Sequence, residues 1–127
     1  MIRTPPAVVV VVDDDPSVRR GVARLLRTGG FEVQAFASAE EFLAAPGARP
    51  PACLVLDVQL PGLSGLELCE RVRRHGAEVP IVFITAHEEY LADAPRDLCH
   101  TVWLRKPFEA HALLSAVRNA AAPSPSA

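Results

Sequence analysis

The chain places groups capable of polar chemistry at the ends of apolar runs. Ala7 to Val12 runs into Asp13, Asp14 and Asp15; Cys53 to Leu56 into Asp57; Pro80 to Ile84 into Thr85; and Thr101 to Leu104 into Arg105, Lys106, Pro107 and Phe108. If these ends meet in space, several carboxylates share one crevice, where two unit charges ~4 Å apart repel by about 4 kcal/mol at an effective dielectric of about 20. A cation has to compensate. A few hard carboxylate oxygens, completed by water, suit Mg²⁺ better than a softer metal, and no His or Cys stands at these ends to argue otherwise. The pattern reads as a magnesium site.

The basic residues narrow the chemistry. Twelve of the thirteen are arginine, and the only lysine is Lys106. A compact ammonium with rotatable donors suits a phosphoryl oxygen or a lone carboxylate. Mg²⁺, the Thr85 hydroxyl and the Lys106 ammonium around one carboxylate are the parts needed for phosphoryl transfer to that carboxylate, a reaction catalysed mostly by positioning and charge neutralisation. Asp57 is the natural acceptor because it stands alone, whereas the adjacent Asp13 and Asp14 are better placed as metal ligands.

Positioning these groups is the task of the intervening elements. Ala7 to Val12 has the β-branched continuity of a strand covered on both faces, and Asp15 followed by Pro16 reads as a helix N-cap and first turn. Val18, Val22, Leu25 and Leu26 then recur at helical spacing until Gly29 and Gly30. Phe31 to Phe36 alternates as a second strand, with Phe31, Val33 and Ala35 on one face, and Ser38 with Glu41 forms a capping box for a short helix. Pro46 to Pro51 is a link. Cys53 to Leu56 is the third strand; Leu66, Leu68, Cys69 and Val72 mark a helix capped near Ser64 and stopped by Gly76. Pro80 to Ile84 is the fourth strand, residues 86 to 97 are weakly helical with Pro95 interrupting, and Thr101 to Leu104 is the fifth strand. Ala110 to Ala121 is a last helix with Leu113, Leu114 and Val117 inward. Strands alternating with helices predict a parallel sheet covered on both sides, with its chemistry at the carboxyl ends of the strands.

Composition excludes several classes of function. At 127 residues, half of them apolar and 22% charged, with a net charge of -2, the chain describes an ordinary globular domain able to bury a core. It has no clustered positive excess of the kind that binds nucleic acid or anionic lipid directly. The three cysteines, Cys53, Cys69 and Cys99, show neither disulfide nor zinc spacing, which fits a reducing compartment. Ala7 to Val12 is too short to span a bilayer and lacks the flanks of a secretory signal, so a cytoplasmic location without membrane attachment is expected.

Taken together, Val-Asp-Asp at 12 to 14, Leu-Asp at 56 and 57, Leu-Pro-Gly-Leu-Ser-Gly at 60 to 65, Ile-Thr-Ala at 84 to 86 and Lys-Pro-Phe at 106 to 108 resemble the receiver domain of bacterial two-component response regulators. The likeness covers about residues 7 to 121, leaving 1 to 6 and 122 to 127 as expected flexible termini. It implies an α/β, flavodoxin-like, doubly wound five-stranded parallel sheet in the order 2-1-3-4-5 with helices on both faces. It also implies that Asp57 takes a phosphoryl group from a phosphohistidine on a sensor histidine kinase or phosphotransfer protein. Asp14 would bind Mg²⁺ directly, Asp13 mainly through water, and the backbone carbonyl of Gln59 would complete the protein ligands. Thr85 and Lys106 would hold the phosphoryl oxygens. Thr85 and Trp103 would form the conformational switch, with Trp103 where the family usually has a tyrosine or phenylalanine. Gln59 and His87 would tune how fast the phosphoryl group is lost. Ser38 to Leu43 is most similar to the branch whose members often carry a helix-turn-helix output domain.

The resemblance further implies a downstream protein target, or an output domain if the chain belongs to a longer regulator, and a homodimer through the face around the fourth helix and fifth strand. The Pro/Ser tail fits a terminus or the start of a linker equally. Departures gather in residues 86 to 101, where Pro95 interrupts and Leu98-Cys99-His100-Thr101 replaces the small residues expected before the last strand. Simpler roles stand beside these. Asp13 to Asp15 read alone as a helix cap, Trp103 reads equally as a packing residue, and His75, His87, His100 and His111 share no metal spacing. A phosphorylation-independent interaction module is the alternative, supported by the altered segment. A turnover enzyme is not expected, because an aspartyl hydrolase usually needs an acid two residues after its nucleophile and Gln59 stands there.

Overall fold

The computed structural model describes residues 7–45, 51–58, 60, 62–74, 79–86, 101–106 and 108–121. Five strands, β1 (Val8–Val12), β2 (Glu32–Phe36), β3 (Cys53–Asp57), β4 (Ile81–Thr85) and β5 (Thr101–Arg105), form one parallel sheet in the order β2-β1-β3-β4-β5. Four helices complete the described elements: α1 (Pro16–Thr28), α2 (Ala39–Ala44), α3 (Gly65–Arg74) and α4 (Ala110–Ala121). This is the doubly wound α/β architecture expected. The expected flexible ends at 1 to 6 and 122 to 127, most of the link at 46 to 51, the stop at Gly76, and all of the weakly helical segment except Ala86 lie outside the described residues.

The local signals in the sequence act as their chemistry requires. Asp15 caps α1, its carboxylate accepting the N–H groups of Ser17 and Val18, and Pro16 fills the first position where no N–H partner is needed. Ser38 caps α2 by accepting the Glu41 N–H at 3.1 Å. Glu41 returns the favour one residue earlier than expected, accepting the Ala37 N–H at 2.8 Å. Ser64 and Glu67 repeat the device at α3, with Ser64 Oγ accepting the Glu67 N–H at 3.1 Å.

Because the strands are apolar on both sides, alternate residues feed two cores. Val9, Val11, Val55, Val82 and Ile84 pack with Val22 and Leu26 of α1 and Leu113 and Val117 of α4. Val10, Val12, Leu54, Leu56, Ile81 and Phe83 pack with Ala39 of α2 and Leu68 and Cys69 of α3. Each such aliphatic side chain contributes about 1.5–3 kcal/mol on burial. One expectation needs correction. The second strand begins at Glu32 rather than Phe31, and of its alternating set only Val33 is buried, because β2 is an edge strand that leaves Ala35 exposed. Leu114 faces inward as expected, packed partly buried against the core and over Gly29, where a Cβ would crowd its methyl group.

Candidate functional site

The strand order reverses between β1 and β3, so the loops leaving these two neighbours diverge and open a crevice at their carboxyl ends. Asp13 follows β1 directly and Asp57 is the last residue of β3, one on each side of that opening. The backbone fixes both. The Asp13 N–H donates to Phe36 O at 3.2 Å, and the Val58 N–H, next to Asp57, donates to Ile84 O at 3.1 Å. Thr85 closes β4 and is buried; the Lys106 N–H donates to its carbonyl at 2.7 Å, fixing the start of the lysine immediately beyond β5.

From there the lysine side chain reaches back past the end of β4 toward the acids at the ends of β3 and β1. Its Nζ lies 3.1 Å from Asp57 Oδ2 and 3.4 Å from Asp13 Oδ2. The Lys106 side chain is 22% exposed against 12% for Asp57 and 3% for Asp13, so the ion pairs are partly shielded from bulk water. One oxygen each from Asp13, Asp14 and Asp57 falls within 4.8 Å of the others, with Asp14 on the exposed side. Three hard carboxylate donors at this spacing fit a divalent oxygen-seeking cation.

The electrostatics follow from this crowding. Burial raises the Asp13 carboxyl above its ordinary range and the Asp57 charge adds to the rise, although the Asp15 N–H and the Lys106 ammonium oppose it. Burial works against the charge on Lys106, but the Asp13 and Asp57 carboxylates outweigh it and hold the ammonium above its ordinary range. The acids and the lysine are thus one coupled charge system. Cys53, by contrast, is pushed up to about 12 by burial and has no thiolate to offer.

Asp13, Asp14, Asp57, Thr85 and Lys106, singled out from sequence, stand together at four strand ends. Gln59 and His87 lie outside the described residues. Trp103 stands on β5, half-buried and stacked on Phe83 of β4 with ring centroids 4.6 Å apart.

Two contacts escaped the sequence reading. Arg19, at the end of the first turn of α1, sends its guanidinium back to donate to the Asp13 carbonyl at 2.9 Å. Glu40 of α2 accepts the N–H of Leu63, 23 residues away, at 3.2 Å. Neither residue follows an apolar run, which was the signal used. A separate hollow of about 550 Å³ lies on α1 beside Arg20, Arg24, Arg27 and Ala35, and shares only Arg19 with this neighbourhood.

Known proteins share this fold. Residues 9–118 match the response regulator receiver domain family. The chain is 44% identical over 112 residues to nodulation protein W of Bradyrhizobium diazoefficiens, covering 87% of this chain and 49% of that protein. It is 39% identical over 111 residues to the transcriptional regulatory protein FixJ of Azorhizobium caulinodans, covering 87% of this chain and 53% of that one. The chain therefore spans about half the length of these curated relatives. Among solved structures, the response regulator TrrA of Thermotoga maritima in complex with Mg²⁺-BeF superposes with a TM-score of 0.79 at 26% identity, over 90% of this chain and 98% of that one. No helix among the described residues is long and apolar enough to cross a membrane. A strand order, a cluster of acids and a lysine reaching across the sheet all agree with a family match over nearly the whole chain, which belongs to the response regulator receiver domains.

Proposed function

We propose that residues 7 to 121 form a phosphoacceptor switch in which Asp57 takes a phosphoryl group from the phosphohistidine of a sensor histidine kinase or phosphotransfer protein. The observation that carries this reading is the seat of Lys106, 3.1 Å from Asp57 and 3.4 Å from Asp13 across the open ends of the sheet. An Asp57 carboxylate oxygen forms the new O–P bond while the donor's N–P bond breaks, the donor nitrogen keeping the bonding pair and taking up a proton. Asp57 is held for this by its place at the end of a buried strand. In this reading the Lys106 ammonium follows the charge from the carboxylate onto a phosphoryl oxygen, and the Thr85 hydroxyl donates to a second.

Asp13, Asp14 and Asp57, with the Gln59 carbonyl that the resemblance implies, are the residues that would hold Mg²⁺. Bound there, the ion would supply neutralisation of the charge that develops on the transferring group. Before transfer, Lys106 keeps the metal-free acids from repelling one another. Support for the metal comes from the donor set itself and from the Mg²⁺-BeF in the TrrA structure.

The domain acts as a signalling acceptor rather than a turnover enzyme, working in the cytoplasm and passing its state through the Thr85 and Trp103 switch to a protein-interaction surface. Relatives about twice as long, one printed as a transcriptional regulatory protein, support a target that is an output domain in a longer regulator or a separate protein. The test is incubation with Mg²⁺ and acetyl phosphate followed by intact-mass measurement. One phosphoryl adduct in the parent and none in Asp57→Asn is expected; an unmodified parent under all donor conditions overturns the reading.

A further inference from the structure

The connection from β3 to α3 leaves from the proposed acceptor, Asp57, and the described residues at its two ends are in tight backbone contact. The Gly65 N–H donates to Val58 O at 3.2 Å, and a Cβ on Gly65 would run into the Asp57 carbonyl, so the start of α3 lies flush against the acceptor's own peptide. A shift at Gly65 would therefore press on the Asp57 peptide. The outer bend of the connection is made at Gly62, which has φ +74°, a left-handed conformation that costs a residue with a Cβ. That bend presents the Leu63 N–H to Glu40 on α2. The fit is close: a Cβ on Gly62 would collide with Glu40 Oε2, the same oxygen that accepts the Leu63 N–H.

We propose that Glu40 is a positioning residue, whose carboxylate ties the outer bend of the β3–α3 loop to α2 and thereby holds Asp57 in its place for phosphoryl transfer. The proposal rests on the phosphoacceptor reading above. A carboxylate accepting a backbone N–H makes a stronger bond than a neutral pair. Leu63 itself packs partly into the core between the sheet and α3, so the tie fixes a bend whose inner side is already seated. It also gives α2, which has no residue at the strand ends, a mechanical share in the site.

The experiment compares the full chain with Glu40→Ala, Glu40→Gln, Gly62→Ala and the Glu40→Ala/Gly62→Ala pair. It reads three quantities: the rate of the acetyl phosphate mass adduct, hydrogen exchange at the Leu63 amide, and the thermal midpoint. Losing this bond, although it is exposed, is expected to slow Glu40→Ala phosphorylation about three- to tenfold. Its Leu63 amide should exchange faster at an almost unchanged midpoint. Glu40→Gln keeps an acceptor oxygen and should restore both rate and protection to within about twofold of the parent. If Glu40 and Gly62 act through the same contact, the pair is no slower than Gly62→Ala alone.

A parent that forms no Asp57 adduct overturns the acceptor reading. A parent that does, with Glu40→Ala matching it in rate and in Leu63 exchange, overturns the tie alone. Effects of Glu40→Ala and Gly62→Ala that simply add, or a Glu40→Gln chain as slow as Glu40→Ala, would also overturn it.

Discussion

Lys106 faces two carboxylates at once, and its removal should expose what it does for each. Lys106→Ala is expected to fold but to lose about 1–3 kcal/mol in chelator, because Asp13 and Asp57 keep their partly buried charges without the ammonium. Added Mg²⁺ should restore part of that loss in a denaturant titration. The same variant is expected to accept a phosphoryl group without a conformational response, read as an unchanged Trp103 spectrum on phosphorylation. Asp13 gives a prediction of sign. Its folded carboxyl is raised above the unfolded value, so the folded chain holds that proton more tightly and the ionised form costs stability above the folded pKa. In chelator, Asp13→Asn should be the more stable chain at neutral pH. The advantage should shrink as pH falls through the raised value and vanish below the ordinary carboxylate range; an advantage growing toward acid would contradict the assignment. These residues were legible in sequence because each polar group ends an apolar run. Arg19 and Glu40 were not, since their partners are a strand-end carbonyl and a distant amide that only the folded chain brings near.

Among the elements, α2 is short, and its ends matter more than its face. Ser38→Ala should cost about 1 kcal/mol by removing the acceptor of the Glu41 N–H, a loss measurable as a shift in denaturant midpoint at constant slope. The N-caps, the central strands and most helix faces were readable because capping chemistry and apolar spacing are local properties. The inner side of β2 was not. Phe31, Val33 and Ala35 alternate correctly, but an edge strand is covered over only part of its length, and coverage depends on neighbours distant in sequence. The stacking of Trp103 on Phe83 was equally beyond sequence, because it follows from the β4–β5 register that sets the two residues side by side. That contact makes an element-level test available: Trp103 fluorescence should change on addition of Mg²⁺ with beryllofluoride if β5 responds to the site, and a flat titration despite binding measured independently would leave Trp103 as packing.

Over the whole molecule, the two cores meet through an interior strand made of one residue type, Val8 to Val12. A homopolymeric strand carries no internal address: sliding it by one position would replace valine with valine almost everywhere. What the slide would change is at its exit, where Asp13 would be drawn in between β2 and β3 with its charge and without its present partners. The acid at the crevice thereby doubles as the ratchet tooth of the frame, so a leucine or valine there would blunt folding fidelity as well as cation binding.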